Sequence, residues 1–191
     1  MELLDWAGTY WPYDEAEEAD RKALVQLLEM RKKNSLSLYK RENLTAHITV
    51  SCWIVNARRN HTLLGFHNLY KHWGWFGGHA DGETDLVAVA RKEAAEECGL
   101  QSMKLLADEP VDFCILGVGA HYKNQMQIPA HLHLNFTYLF EADEHEFVRP
   151  KPDENRAVSW IANERLLAVA NEEATAPVYK RIMEKIKERK L

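Results

Sequence analysis

Residues 77–100 read GGHADGETDLVAVARKEAAEECGL, a glycine-bearing loop that runs into a helix ending in carboxylates. Strong helix formers fill Asp85 to Cys98, and Gly99 is placed to stop the helix in a left-handed conformation. At about 100° per residue, Glu93, Glu96 and Glu97 fall at i, i+3 and i+4 and share one helix face. Like charges at that spacing repel by a few tenths of a kcal/mol, a penalty that a bound cation would remove. The face offers oxygen donors with no histidine or cysteine beside them, which selects a hard cation: magnesium, with manganese as the alternative. Magnesium commonly bridges carboxylates to substrate phosphates, neutralises charge on an anhydride and acidifies an attacking water. The acidic face therefore implies phosphate-transfer or phosphate-cleaving chemistry.

From Gly78 onward the stretch resembles the Nudix box: glycine, five residues, glutamate, seven residues, then Arg-Glu-apolar-x-Glu-Glu-x-Gly-apolar. The fifteen-residue offset from Gly78 to Glu93 is kept, and Glu93-Ala94-Ala95-Glu96-Glu97-Cys98-Gly99-Leu100 matches position by position. Thr84 stands where the family has glutamate and Lys92 where it has arginine, a pair that resembles a salt bridge tying loop to helix. Pairing Glu83 with Arg91 instead would shorten the loop by one residue and insert one before Glu93, so substitution is the simpler alignment. A Thr84 hydroxyl is expected to cap the helix, worth about 1 kcal/mol, while Lys92 keeps the charge without the planar fork of arginine.

The resemblance extends weakly over about Leu44 to Lys187 in the order of elements. It implies a mixed α/β (α+β) fold, an α/β/α sandwich with a mixed sheet, as a Nudix hydrolase domain over 44–191 behind an N-terminal helical extension over 1–43. It implies a metal-dependent hydrolase that cleaves a phosphoanhydride bond in a nucleoside diphosphate linked to another moiety, or in a related nucleotide. Glu93, Glu96 and Glu97 would be metal ligands, the Gly77 carbonyl would complete the shell, and Glu93 would double as a candidate base. Many relatives add a glutamate from outside the box. Glu144, Glu146 and Glu154 lie in the right loop, and Glu154 is preferred as a catalytic residue because it directly precedes a strand.

Along the rest of the chain, Asp14–Met30 carries a helical apolar stripe with acidic residues at its start. Leu44–Val55 and Thr62–His67 read as a hairpin around Ala57-Arg58-Arg59-Asn60. Four glycines in Trp73–Gly82 suggest a loop shaped by close approaches and positive φ angles. Val111–Val118 and the alternating His131–Glu141 read as strands, then a polar loop with Pro150 and Pro152 precedes the strand-like 157–161. Pro177 suits the first turn of a last helix whose inner stripe is Val178, Ile182, Met183 and Ile186.

His79, His131, His133 and Trp75 are the candidate substrate contacts, each with a plainer alternative. Two histidines on one strand face also suit hydrogen bonding or a metal, His79 also suits capping of loop backbone, and Trp75 also suits core packing. The composition, 46% hydrophobic and 28% charged over 191 residues, is that of a globular domain with its own core. A net charge of −5 argues against broad nucleic-acid binding, and three scattered cysteines against a disulfide framework or zinc ribbon. With no signal-like start or membrane-length apolar run, the expectation is a cytoplasmic protein acting on a small nucleotide-like substrate, with no nucleic acid or membrane partner and a homodimer as the expected assembly.

Two rival readings share the fold. An isopentenyl-diphosphate isomerase would rely on a cysteine motif that Val50-Ser51-Cys52-Trp53 does not resemble. A silent nucleotide-binding module would tend to lose the acidic cluster, which here is complete.

Overall fold

In the computed structural model, residues 3–31, 38–123 and 125–191 are described. Their elements, in chain order, are α1 (Leu3–Thr9), α2 (Glu15–Arg31), β1 (Ala46–Val55), β2 (His61–His67), β3 (Trp73–Gly74), β4 (Phe76–His79), α3 (Leu86–Cys98) and β5 (Lys104–Leu105). There follow β6 (Asp112–Val118), β7 (His121–Lys123), β8 (Met126–Ile128), β9 (His131–Glu141), β10 (Asn155–Ala162), α4 (Leu166–Ala170) and α5 (Ala176–Arg189). The class is α+β with a mixed sheet, as expected. No helix among the described residues is long and apolar enough to cross a membrane.

Two units divide the chain, each assembled from separate segments, and β1 and β9 each contribute one half to either. The first unit holds the chain up to Val50, His79–Leu86 and Phe113–Phe136. Within it the acidic start of α2 has two uses. Asp14 accepts the Glu17 N–H (2.8 Å) and Glu17 reaches back to the Tyr13 N–H (2.7 Å), a reciprocal pair of bonds that caps the helix start. Glu17 also accepts the Tyr10 hydroxyl and the Phe113 N–H (3.1 Å), and Asp20 accepts the Ile115 N–H (3.0 Å). Helix α2 thereby supplies partners to backbone donors of β6 on its side away from β9. Trp6 packs on Phe136 and Phe113 with ring centroids 5.0 and 5.7 Å apart, so α1 closes the same apolar cluster. Residues 1–2 and 32–37 of the expected helical extension lie outside the described residues.

The second unit holds Ser51–Gly78, Val87–Asp112 and Thr137–Leu191. Its strands lie in the order β10-β2-β1-β9-β5, with β2 antiparallel to both β1 and β10. The β1–β2 turn is held by Asn56, whose side-chain oxygen accepts the Asn60 and His61 N–H groups, with Arg59 at φ 59°. Helix α3 turns Ala90, Ala94 and Cys98 inward, all fully buried, and the Cys52 thiol donates to the Ala90 carbonyl at 2.8 Å. Small residues let the helix lie close to the strand beneath it.

Four sequence expectations need correction. The stretch 73–82 is not loop throughout, because β3 and β4 lie within it. Of its glycines only Gly82 has positive φ (94°), while the close approaches also expected there are met at Gly74 and Gly78. Helix α3 begins at Leu86, which places Asp85 rather than Thr84 at the capping position, and Glu83 accepts the N–H groups of Thr84 and Asp85. On α5, Met183 is only half-buried while Tyr179, Arg181 and Lys185 are buried with Val178, Ile182 and Ile186. The two cations are inside because Asp112 is there: Arg181 grips both its oxygens (2.7 and 2.9 Å) and Lys185 donates to Asp112 (2.8 Å) and to the Val111 carbonyl (2.9 Å).

Candidate active site

Glu93 and Gly78 are in contact. A Cβ placed on Gly78 would lie 2.6 Å from the Glu93 carboxyl carbon and 2.7 Å from one of its oxygens. The first glycine of the box is thus a close-approach glycine: it leaves the space in which the Glu93 carboxylate lies against the backbone.

One turn on, Glu97 is held at both oxygens. Its Oε1 accepts the Gly77 N–H (3.0 Å) and its Oε2 accepts the Asn155 side-chain amide (2.9 Å). Only 4% of it is exposed. Burial pushes its pKa up to about 7, against the pull of Asn155 and Gly77, and the nearby Glu154 and Glu93 carboxylates push it further in the same direction. Glu93, half-buried, is also raised, first by desolvation and then by Glu96 and Glu154 against Lys92 and Lys151. Asn155 itself sits where Gly65 leaves room, since a Cβ on Gly65 would lie 3.1 Å from the Asn155 side-chain oxygen and 2.8 Å from Phe76.

Glu154 joins this group through Lys151, whose ammonium bonds Glu154 at 2.8 Å and lies 3.5 Å from Glu96. The Glu154 carboxylate holds Lys151 firmly charged, above its ordinary range. Of the three loop glutamates considered from sequence, the other two are engaged elsewhere: Glu144 accepts the Asn56 amide and Glu146 accepts the Gln101 N–H. The loop is docked by backbone, the Arg149 and Lys151 N–H groups donating to the last-turn carbonyls of Cys98 and Glu97 (2.9 and 3.2 Å). Gly99 adopts the expected left-handed conformation (φ 78°), and a Cβ there would lie 2.7 Å from the Arg149 side chain.

Lys92 pairs with Glu96 (3.8 Å) along the helix, and Arg91 donates to the Met103 carbonyl and lies over Phe140. Trp75 packs edge-on to Trp53 and Tyr179, and the Tyr179 hydroxyl accepts the Trp75 N–H. In the first unit, His79, His131 and His133 come together with one another and with His47, a residue the sequence reading did not select. Burial, with the neighbouring imidazoles, pushes His133 down to about 3 and lowers His47 as well, so both are neutral near pH 7. Asn155, Lys151 and Gly65 were also missed; only the position of Asn155, next to Glu154 at the strand start, gave a hint.

The carboxylates fit a hard divalent cation. Beyond the effect of burial, Glu96 and Glu154 raise the proton affinity of Glu93, and Glu154 and Glu93 that of Glu97, and the four carboxylates face two lysines, Lys92 on Glu96 and Lys151 on Glu96 and Glu154. Their donors are oxygens only.

Comparison with known proteins identifies the family. The family model described as the NUDIX domain matches residues 45–185. No curated protein matches by sequence. Among solved structures, a NUDIX-family hydrolase from Clostridium perfringens is similar at TM-score 0.55 and 21% identity, over 72% of this chain and 96% of that one. A C. elegans Ap4A hydrolase in a binary complex is similar at TM-score 0.51 and 14% identity, over 74% and 98%. The Bacillus halodurans MutT protein is similar at 0.50 and 15%, over 71% and 81%. At these identities the likeness is one of fold, and the family rests on the domain match together with the box that carries it: the chain belongs to the NUDIX domain family, as a hydrolase of the Nudix type.

Proposed function

We propose that this chain is a magnesium-dependent pyrophosphohydrolase, with manganese as the alternative metal, that cleaves a phosphoanhydride bond in a nucleoside diphosphate linked to another moiety or in a related nucleotide. The observation that carries the reading is the placement of Glu93 against Gly78 beside a Glu97 anchored at both oxygens. Glu93, Glu96 and Glu97, with the Gly77 carbonyl, would hold the metal. When bound, the ion supplies Lewis-acid neutralisation of the diphosphate and a more acidic water.

The chain's own part is position and proton transfer. Gly77 and Asn155 aim Glu97. Glu93 and Glu154 are the candidate bases for a proton taken from water. Lys151, shared by Glu96 and Glu154, would balance charge before substrate arrives. Trp75, half-buried beside Tyr179, is retained as a substrate contact. The isomerase reading is disfavoured because Cys52 is fully buried and its thiol is committed to the Ala90 carbonyl.

The test is a phosphate-release screen over nucleotide sugars, ADP-ribose, dinucleoside polyphosphates, NADH and nucleoside triphosphates, with and without magnesium. The C. elegans Ap4A hydrolase of similar fold is a reason to include the dinucleoside polyphosphates. Metal-dependent cleavage of one class, lost in Glu97→Gln, is expected. Nucleotide binding without product, measured by calorimetry, would replace this reading with that of a silent binding module, for which the Lys92 and Lys151 contacts to Glu96 are the favouring observation.

A further inference from the structure

Five of the nine histidines gather in the first unit. His47, His79 and His133 each offer a ring nitrogen within 4.8 Å of the others'. These residues come from β1, the end of β4 and β9. The Nε2 atoms of His131 and His133 also lie 3.2 Å apart, so His131 adjoins the same group.

In a neutral imidazole the place of the proton follows from its fixed partner. A carbonyl only accepts, so the contact of His47 Nδ1 with the Asn43 carbonyl (3.0 Å) places the His47 proton on Nδ1. That leaves a lone pair on Nε2, which is buried and has no hydrogen-bond partner, in a residue only 4% exposed. An unsatisfied buried acceptor is costly, and such atoms call for an explanation. The same logic runs through His131: its Nδ1 meets the Pro129 carbonyl (2.9 Å), so its Nε2 is the acceptor. The His133 Nε2, 3.2 Å away, must then donate to it, which leaves the lone pair of His133 on Nδ1. An imidazole whose one nitrogen donates to a fixed acceptor while the other stays open is the usual state of a metal-bound histidine. Arg41, the nearby cation, is engaged by Asp81 and does not fill the role.

We propose that His47, His79 and His133 form a second metal site, for a borderline divalent cation of the zinc type, with His131 as the positioning residue that orients His133. Three imidazole nitrogens without a carboxylate favour zinc and its first-row neighbours over magnesium, and three protein ligands plus one exchangeable position is a common zinc arrangement. The site differs in donor chemistry from the carboxylates of the box and does not depend on their role.

The full chain, stripped with chelator, is equilibrated with zinc in excess magnesium and its metal content measured after dialysis; cobalt replaces zinc as an absorbing probe. The wild type and a Glu93→Gln/Glu97→Gln variant should retain stoichiometric zinc and show nitrogen-ligated cobalt bands. His47→Gln/His133→Gln should lose both, and His131→Gln should weaken zinc binding by about 10–100-fold. His79→Gln, at a half-buried position, repeats the test should the buried pair of changes unfold the protein. Zinc lost from the wild type, zinc retained in folded histidine variants, or zinc lost with the carboxylate variant would each overturn the site.

Discussion

The second unit contains two groups of charged side chains that follow opposite rules. Around Asp112 each buried charge faces an opposite one at hydrogen-bond distance: Arg181 takes both oxygens and Lys185 shares one. All three are at most 4% exposed. At α3 like charges are gathered instead: Glu93, Glu96 and Glu97 lie on the helix, Lys151 bridges Glu96 to Glu154 in the loop before β10, and Glu97 is buried near Glu93 and Glu154. The first arrangement stabilises one fold in the absence of any ligand. The second is costly without a cation and makes sense as a site kept ready for one. Ionisable residues that compensate one another inside a fold mark structure, whereas those that need something from solution mark function.

The largest expected effect separates the groups by stability. Asp112→Ala leaves two buried cations without their carboxylate and should lower the unfolding free energy by about 3–5 kcal/mol in urea titration; a loss under about 1 kcal/mol would remove the distinction drawn above. Glu97→Gln is the converse case. Turnover of the substrate found in the screen should fall by about 100–1,000-fold, while stability of the metal-free protein moves by less than about 1.5 kcal/mol. Equal losses of both would mean that Glu97 is structural.

Asn155→Leu removes one of the two donors that aim Glu97. Turnover should fall by about 10–100-fold, with a weaker apparent magnesium affinity in kinetic titrations. Gly78→Ala forces the Glu93 carboxylate from its place, and about a tenfold loss in kcat/KM with an unchanged circular dichroism spectrum is expected. Lys151→Met should matter least. Its pairs are partly exposed, so thermal melts should show a cost below about 1 kcal/mol, shrinking further in high salt.

Local signals were read well. The α3 helix, the left-handed Gly99 and the strand over His131–Glu141 were each legible because a few adjacent residues decide them. The three box glutamates were legible for the same reason, since helical spacing alone puts them on one face. What was misread was also local in form: positive φ was expected across 73–82, where only Gly82 has it, while the close approaches expected there are met at Gly78 against Glu93 and at Gly74 against Tyr179.

The sequence by itself determined the α3 helix, its carboxylate face and the family those residues point to. Tertiary structure alone decided which distant groups complete each cluster. Asn155 reaches Glu97 across 58 positions, Arg181 reaches Asp112 across 69, and His47 meets His79 and His133 from separate strands. The physical reason is that helical and strand periods bring together residues a few positions apart, whereas these partners meet only when the sheet is assembled. Nothing in the local pattern distinguishes an Asn155 that aims a carboxylate from one that begins a strand.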